Sequence, residues 1–322
     1  MLIALAEGDG IGREVIPVAR DVLSALRPDL EFVPVEVGYG RWQRTGEAIT
    51  DEEMRVLSSA DAILFGAVTT PPAPDYQSVI VRIRKSLDLY ANLRPVRGRG
   101  FDILIVRENT EGLYSGIEKV EHDSACTLRC ISRKGSERIA RFACSEARSR
   151  CDLTIGHKAN VLKSDVFFRD ICIAVARDAG VPCKECYIDA LCLDVLQHPG
   201  RYDVIVTTNM FGDILSDVAA YLVGGLGLLP SANIGDGHAL FEPVHGSAPD
   251  IAGKNIANPI AALRSAGMLL THIGDPGAGC LVESAINAVL DQGICTRDLG
   301  GKAGTREFGD LVVRELSRRT KS

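Results

Sequence analysis

The sequence predicts an α/β protein, and three observations carry that reading. Short β-rich runs alternate with stretches of helical period along the chain, as they do where strands and covering helices follow one another. The first apolar run passes through a glycine turn directly into an amphipathic stripe. Hydrophobic residues make up 46% of the 322 residues and charged ones 24%, an ordinary globular balance that excludes a disordered chain, a collagen-like repeat or a disulfide-stapled miniprotein. That length holds one large α/β unit or two modest domains.

Strands are expected at 2–5, 31–37, 62–65, 103–106, 153–157 and 204–207. Each is a short apolar or β-branched run bounded by turn-forming or polar residues. A helix is expected over 13–26, with Val15, Ile16, Ala19, Val22, Leu23 and Leu26 on one stripe. Similar periods mark 136–148 and 165–179, the latter with Ser164 placed to cap its N-terminus. A Cys- and Thr-containing run at 125–131 reads as an extended excursion. The glycine-rich run at 98–100 and the turn chemistry of 224–230 are the expected crossings between two lobes. No internal repeat or low-complexity tract is present.

Thirty-six basic against 42 acidic residues leave a net charge of −6, so nothing electrostatic points to nucleic acid. The most apolar stretch, 218–230, is interrupted by Gly224, Gly225 and Gly227 and falls short of the ~20 apolar residues of a spanning helix. The N-terminus lacks a basic region before its apolar run, so a cytoplasmic setting with reduced thiols is expected. Among the ten cysteines only Cys183 and Cys186 have CxxC spacing, and no second pair completes a zinc tetrad.

The run Gly8-Asp9-Gly10-Ile11-Gly12 tempts a dinucleotide reading, but the third glycine falls one residue early and Arg13 stands in its place. Without GxGxxG the helix and strand lose the close approach that fingerprint provides, so a Rossmann unit is rejected. A tight turn and a ligand-facing loop both remain. More specific is Asn209-Met210-Phe211-Gly212-Asp213-Ile214-Leu215-Ser216-Asp217 at an expected helix start. Asp213 and Asp217 share one face there, ~5–6 Å apart at Cβ. Two hard oxygen ligands that close suit Mg²⁺ or Mn²⁺. The bland reading is that both carboxylates merely favour the positive end of a helix.

Arg84, Arg94 and Arg107 are spaced as planar forks for a substrate with several carboxylates, although a surface helix carries such charges too. Tyr114 and Lys158 are candidates for proton transfer, each with a plain packed or surface role as its alternative. The stretch 241–259 is too rich in glycine and proline for helix or strand, and suits close backbone approach to a ligand.

Together these stretches resemble the β-decarboxylating dehydrogenases, which act on isocitrate, 3-isopropylmalate, homoisocitrate and tartrate. The resemblance runs from 7–12 through 84–95, 107–116, 157–160, 209–217 and 235–259 to 296–301, in family order. It is strongest to the archaeal homoisocitrate and 3-isopropylmalate branch. It implies a two-lobed isopropylmalate/isocitrate-dehydrogenase-like fold with a dimer clasp at 125–131. A large cofactor-binding domain would comprise 1–97 with 225–322, and a smaller one at 98–224 would carry the dimer contacts and the metal site. Mg²⁺ or Mn²⁺ would lie between Asp213 and Asp217 of one subunit and Asp189 of the other, with Lys158 also reaching across a shared active site. Arg84, Arg94 and Arg107 would hold a malate-like di- or tricarboxylate. Lys158, with Asp189, would help remove the hydroxyl proton, and Tyr114 would protonate the enolate carbon after CO₂ leaves. The family's non-catalytic regulatory subunits lose one or more of these groups, and this chain keeps them all. A homodimer follows, or a tetramer built from it.

The resemblance also places Thr69, His245, Gly246, Ser247, Ala248, Asp250 and Asn258 along the cofactor. The family's NADP enzymes carry a lysine and a tyrosine where this chain has Asp250 and Ile251. A carboxylate repels a 2′-phosphate and accepts hydrogen bonds from a free ribose diol, so NAD is expected. Ser78 matches the serine that meets the distal carboxylate in isocitrate enzymes, but Ile80 replaces their usual asparagine. Aliphatic residues at 80 and 81 are shared with isopropylmalate enzymes, whose usual glutamate is here Gln77. The serine with the aliphatic pair, together with 133–139, looks most like methanogen homoisocitrate dehydrogenases. Homoisocitrate and its homologues are the expected substrates, with 3-isopropylmalate as the alternative.

Overall fold

The computed structural model describes residues 1–73, 75–150 and 152–319. Twelve strands occur among them: β1 (Leu2–Gly8), β2 (Glu31–Pro34), β3 (Ala62–Ala67), β4 (Ala91–Gly98), β5 (Phe101–Glu108), β6 (Glu118–Val120), β7 (Ala125–Thr127), β8 (Leu153–His157), β9 (Cys183–Tyr187), β10 (Val204–Thr207), β11 (Pro230–Ile234) and β12 (Ala239–Pro243). The helices are α1 (Gly12–Leu26), α2 (Tyr39–Thr45), α3 (Asp51–Ser59), α4 (Val79–Ser86), α5 (Arg133–Arg148), α6 (Lys163–Asp178), α7 (Ile188–Gln197), α8 (Asn209–Ala220), α9 (Ile260–His272), α10 (Pro276–Asp291) and α11 (Thr305–Arg319).

The chain forms two compact units. The first comprises Met1–Leu87, Leu226–Ala232 and Asp236–Ser322, and the second Asp88–Gly225 with Asn233–Gly235. In the first unit β1 lies between β2 and β3, and β12 follows β3, all in parallel pairing. Helices α1, α9, α10 and α11 pack on one another beside these strands. Every residue of β3 is buried, so it reads as a continuous apolar run rather than an alternation.

In the second unit the order is β4-β5-β10-β8-β9. Within this order β4–β5 is antiparallel, and β5–β10, β10–β8 and β8–β9 are parallel. The core of this unit joins Ile139, Ala143 and Cys144 of α5 and Phe168 and Cys172 of α6 to Leu153, Ile155, Val204 and Val206 of the sheet. Parallel β10 and β8 are buried along their whole length; β10 is accordingly a Val-Ile-Val run closed by Thr207, whereas β8, Leu-Thr-Ile-Gly-His, mixes apolar and polar residues.

Several sequence expectations are corrected. Gly98–Gly100 forms the turn of the β4–β5 hairpin, and the first passage between units falls after Leu87. Helix α6 begins at Lys163 with Leu162 as its N-cap, and the Ser164 hydroxyl instead accepts from Arg129. Residues 241–243 end strand β12, because Leu240 and Phe241 pair with β3 before the glycine-rich stretch begins. Strand β2 stops at Pro34. Cys183 and Cys186 lie in β9, where residues three apart point to opposite faces, so the CxxC spacing makes no chelating pair. The excursion at 125–131 begins with β7, which pairs with the preceding β6 in an exposed hairpin, Glu118↔Thr127 to Val120↔Ala125. No helix among the described residues is long and apolar enough to cross a membrane.

The glycine run at residues 8–12 is a turn built for packing. Gly10 has φ +56°, and a Cβ there would lie 2.0 Å from the Ser247 carbonyl oxygen. Buried Asp9 accepts the backbone N–H groups of Tyr39, Gly40 and Thr69 at 2.7, 2.8 and 2.9 Å.

Candidate active site

In the second unit the β4–β5 register pairs Asn92 with Arg107, so Arg94 and Arg107 share one face of the hairpin. Helix α8 crosses that face. A Cβ at Gly212 would lie 2.7 Å from Arg107 Cβ, and only glycine lets the helix come this close. The approach brings Asp213 to both arginines: it is ion-paired with Arg107, and its Oδ1 lies 3.0 Å from Arg94 Nη2. Arg94 also reaches Asp217 Oδ1 at 3.6 Å.

Arg107 is almost fully buried, and its Nε and Nη2 both donate to Asn209 Oδ1, at 3.0 and 2.7 Å. Arg94 Nε donates to Asn92 Oδ1 at 2.8 Å. Buried guanidinium groups held at several points keep a fixed fork, which is what carboxylate recognition requires.

Tyr114 Oη donates to Asp213 Oδ2 at 3.1 Å, and the Arg107 guanidinium carbon stands 5.6 Å from its ring centre. Burial, and then the neighbouring Asp213 charge, push the Tyr114 phenol above its ordinary value, against the opposing pull of Arg107 and Arg94. It therefore stays protonated at neutral pH, ready to act as an acid. Asp217 is also raised, mainly by burial; Arg94 offsets this and the like charge of Asp213 adds to it.

Elsewhere in the unit Lys158, following β8, donates from Nζ to Asp189 Oδ1 at 2.6 Å, in the first turn of α7. This hydrogen bond holds the Asp189 carboxyl below its usual range. Both side chains are accessible, Asp189 at 65%. No group of three or more His, Cys, Asp and Glu side chains among the described residues is arranged to hold a metal ion. Asp213 and Asp217 do offer two hard-oxygen groups on one helix face, within the one or two carboxylates by which Mg²⁺ is commonly held. Helix α8 starts at Asn209 with no acidic residue in its first turn, so these carboxylates are not N-terminal dipole partners.

In the first unit Ser78 is the N-cap residue of α4, yet its side chain makes no capping hydrogen bond. Val79 and Ile83 turn into the core, while Ile80, Val81 and Arg84 are half-buried. Arg84 Nη2 donates to Glu242 Oε1 at 2.8 Å, but its Nε is buried without a hydrogen-bond partner among the described residues. A buried donor of that kind costs stability unless a ligand satisfies it.

The remaining residues follow β12, up to the start of α9, except Thr69, which follows β3. Thr69 Oγ1 and Ser247 Oγ are 2.7 Å apart. His245 Nδ1 lies 3.0 Å from the Gly246 carbonyl oxygen, and its buried Nε2 has no partner among the described residues. Ala248 adopts φ +38°, a strained conformation for a side-chain-bearing residue. Asp250 is exposed, and its carbonyl oxygen accepts from Lys254 Nζ at 2.7 Å. Asn258 donates to Asp298 Oδ2 at 2.8 Å and accepts from Ile260 N at 2.9 Å. Sequence reasoning gives no role to Glu242, Asn209 or Asp9, because each acts through a partner 30 or more residues away, nor to Asn92, which braces Arg94 two residues along the same strand.

The profile described as isocitrate/isopropylmalate dehydrogenase matches residues 2–312. The chain belongs to that family. It is a β-decarboxylating dehydrogenase, an oxidoreductase. The isocitrate/homoisocitrate dehydrogenase of Thermus thermophilus is 50% identical over 98% of both chains. The 3-isopropylmalate/3-methylmalate dehydrogenase of Methanocaldococcus jannaschii is 47% identical, also over 98% of both. The β-decarboxylating dehydrogenase of Thermococcus kodakarensis has the same fold, with a TM-score of 0.89 and 45% identity over 99% of this chain and 97% of that one. Members of this family need a nicotinamide cofactor and a divalent metal.

Proposed function

We propose that this enzyme oxidises and decarboxylates homoisocitrate and its homologues, with NAD as hydride acceptor and Mg²⁺ or Mn²⁺ as metal. The observation that carries the substrate reading is the start of α4. The Ser78 hydroxyl is uncommitted to its own helix, and half-buried Ile80 and Val81 stand beside Arg84 with its unpartnered Nε. The hydroxyl suits a distal carboxylate, the aliphatic pair suits the extra methylene, and the guanidinium suits a malate carboxylate. Favouring 3-isopropylmalate instead is that same aliphatic pair, which fits an isopropyl group. A methylene changes discrimination by only ~1–3 kcal/mol, so the two activities overlap.

Asp213 and Asp217, with Asp189 of the partner subunit, are the residues assigned to the metal, which when bound stabilises negative charge developing on substrate oxygen. Arg84, Arg94 and Arg107 hold the malate-like carboxylates, and Ser78 meets the distal polar end. Lys158, as its neutral amine, helps remove the hydroxyl proton, Asp189 stabilises the ammonium that results, and Tyr114 delivers a proton to carbon. A homodimer is proposed on the exposed apolar side chains of the second unit, among them Ile117, Val120, Leu128, Val161, Leu193 and Ile214. Asp250 disfavours a 2′-phosphate, and the unpartnered His245 Nε2 suits an adenosine contact. A cytoplasmic location fits this chemistry.

The test is NADH formation with Mg²⁺ on homoisocitrate, 3-isopropylmalate and isocitrate in parallel. A kcat/KM at least about tenfold higher for homoisocitrate than for isopropylmalate, lost in Ser78→Ala, supports the reading. The reverse order, unaffected by Ser78→Ala, assigns the enzyme to 3-isopropylmalate.

A further inference from the structure

Arg129 follows the exposed β6–β7 hairpin, yet its own side chain is only 14% exposed. Its guanidinium ties together segments far apart in sequence. Nη1 donates to Ser164 Oγ at 2.7 Å, and Nη2 to Asp165 Oδ1 at 2.6 Å and Thr208 Oγ1 at 3.1 Å. Its central carbon stands 5.2 Å from the centre of the Phe211 ring. Asp165 has no exposed surface, and its other oxygen accepts the backbone N–H of Lys158 at 2.8 Å. Thr208 is the N-cap residue of α8, but its hydroxyl makes no capping bond to its own helix.

One planar fork thus grips the start of α6, the start of α8 and, through a buried carboxylate, the backbone that carries Lys158. Such a carboxylate is tolerable only with a charge partner and its remaining lone pairs satisfied. Arginine provides both in a rigid geometry that an ammonium group cannot copy. A misplacement of about 1 Å in a reacting group costs ~100-fold in rate, so whatever fixes the Lys158 backbone acts on turnover.

We infer that Arg129 is a positioning residue for the oxidative decarboxylation. Through Asp165 it fixes Lys158, and through Thr208 and Phe211 it fixes the start of the helix that carries Asp213 and Asp217. The inference rests on the proposed role of Lys158 in proton transfer. It also makes the seat of the β6–β7 hairpin a structural determinant of turnover, since the same residue anchors the chain leaving that hairpin.

The experiment measures kcat and KM of the full-length enzyme with Mg²⁺, NAD and the most active of the three hydroxy acids. Arg129→Lys keeps the charge and removes the fork. It is expected to lower kcat about 10–100-fold. KM for the acid and for NAD should stay within about twofold, the signature of lost transition-state positioning rather than lost binding. Arg129→Gln combined with Asp165→Asn replaces the ion pair with an amide pair and leaves an oxygen for the Lys158 N–H. It is expected to recover most of the rate lost in Arg129→Gln alone. Wild-type kcat in Arg129→Lys, a loss confined to KM, or no recovery in the paired variant overturns the inference. Lys158→Met separates this from the underlying reading. Full turnover there removes the role of Lys158 and this inference with it, whereas loss there beside wild-type kcat in Arg129→Lys overturns this inference alone.

Discussion

Tyr114 Oη donates to Asp213 Oδ2 at 3.1 Å, and the same carboxylate is ion-paired with Arg107 and Arg94. A phenol that stays protonated is thereby held beside two fixed cations. Because Tyr114 is 40% exposed, its loss should leave the fold intact. Tyr114→Phe is expected to lower kcat by ~10²–10⁴, the usual worth of a positioned acid, with KM and melting temperature nearly unchanged. Steady-state kinetics beside a thermal melt check this; an equal loss in both would assign the phenol to structure.

Asp213→Asn should abolish turnover and also destabilise the protein. Arg107 is buried and keeps its Asn209 hydrogen bonds but loses its charge partner. Removing one member of a buried pair costs ~3–5 kcal/mol, less here because Asp213 is 32% exposed. Asp217→Asn should abolish turnover with little or no loss of stability, since burial and the like charge of Asp213 already disfavour its ionised form and its contact with Arg94 is long, at 3.6 Å. Chelation of divalent ions should stop the wild-type reaction, and added Mg²⁺ or Mn²⁺ should restore it.

Cofactor choice is testable at one turn. Asp250→Lys combined with Ile251→Tyr exchanges a repulsive carboxylate for a cation and a phenol. The ratio of kcat/KM for NADP to that for NAD should rise at least about tenfold, which corresponds to ~1.4 kcal/mol. An unchanged ratio would show that position 250 does not meet the ribose.

Acid should weaken the fold through its histidines. Burial lowers the affinity of His157, His245 and His272 for a proton. As pH falls below the ordinary histidine value of about 6.5, the unfolded chain takes up protons that the folded one refuses, so stability declines with pH. Buried Glu108 works in the opposite direction, because burial raises its carboxyl and the folded state holds the proton longer. His157 isolates the first effect: it is almost fully buried, its Nδ1 accepts Ala159 N at 3.2 Å, and its Nε2 lies 3.4 Å from Glu185. His157→Gln should reduce the drop in melting temperature between pH 7.5 and 5.5. Each ~1 kcal/mol corresponds to ~2–4 °C in domains of about 150–250 residues. An identical drop in both proteins would locate the acid sensitivity elsewhere.

Legibility in the sequence followed burial. Strands β8 and β10 have the bounds expected of them; both are buried along their whole length, and β10 shows it as a Val-Ile-Val run. Strand β9, Cys-Lys-Glu-Cys-Tyr, has no buried residue and carries no such signature; only its CxxC spacing stands out in the sequence. Strand β12 was hidden by the glycine- and proline-rich stretch that follows it, and the Ser164 hydroxyl by a plausible local cap. In each case a distant partner decided the outcome: β3 for Phe241, Arg129 for Ser164.

By itself the sequence determined the alternation of strands and helices, the absence of a Rossmann fingerprint, and the motifs that mark this family. Those signals are local, set by side-chain periodicity and by residues a few positions apart. The tertiary structure decided which groups meet. Glycine at position 212 lets α8 press on Arg107 and delivers Asp213 to two arginines and a phenol, while Asp165 joins Arg129 to the Lys158 backbone. Contacts between residues 36 to 119 positions apart depend on strand register and helix approach, and neither is written in any short stretch of chain.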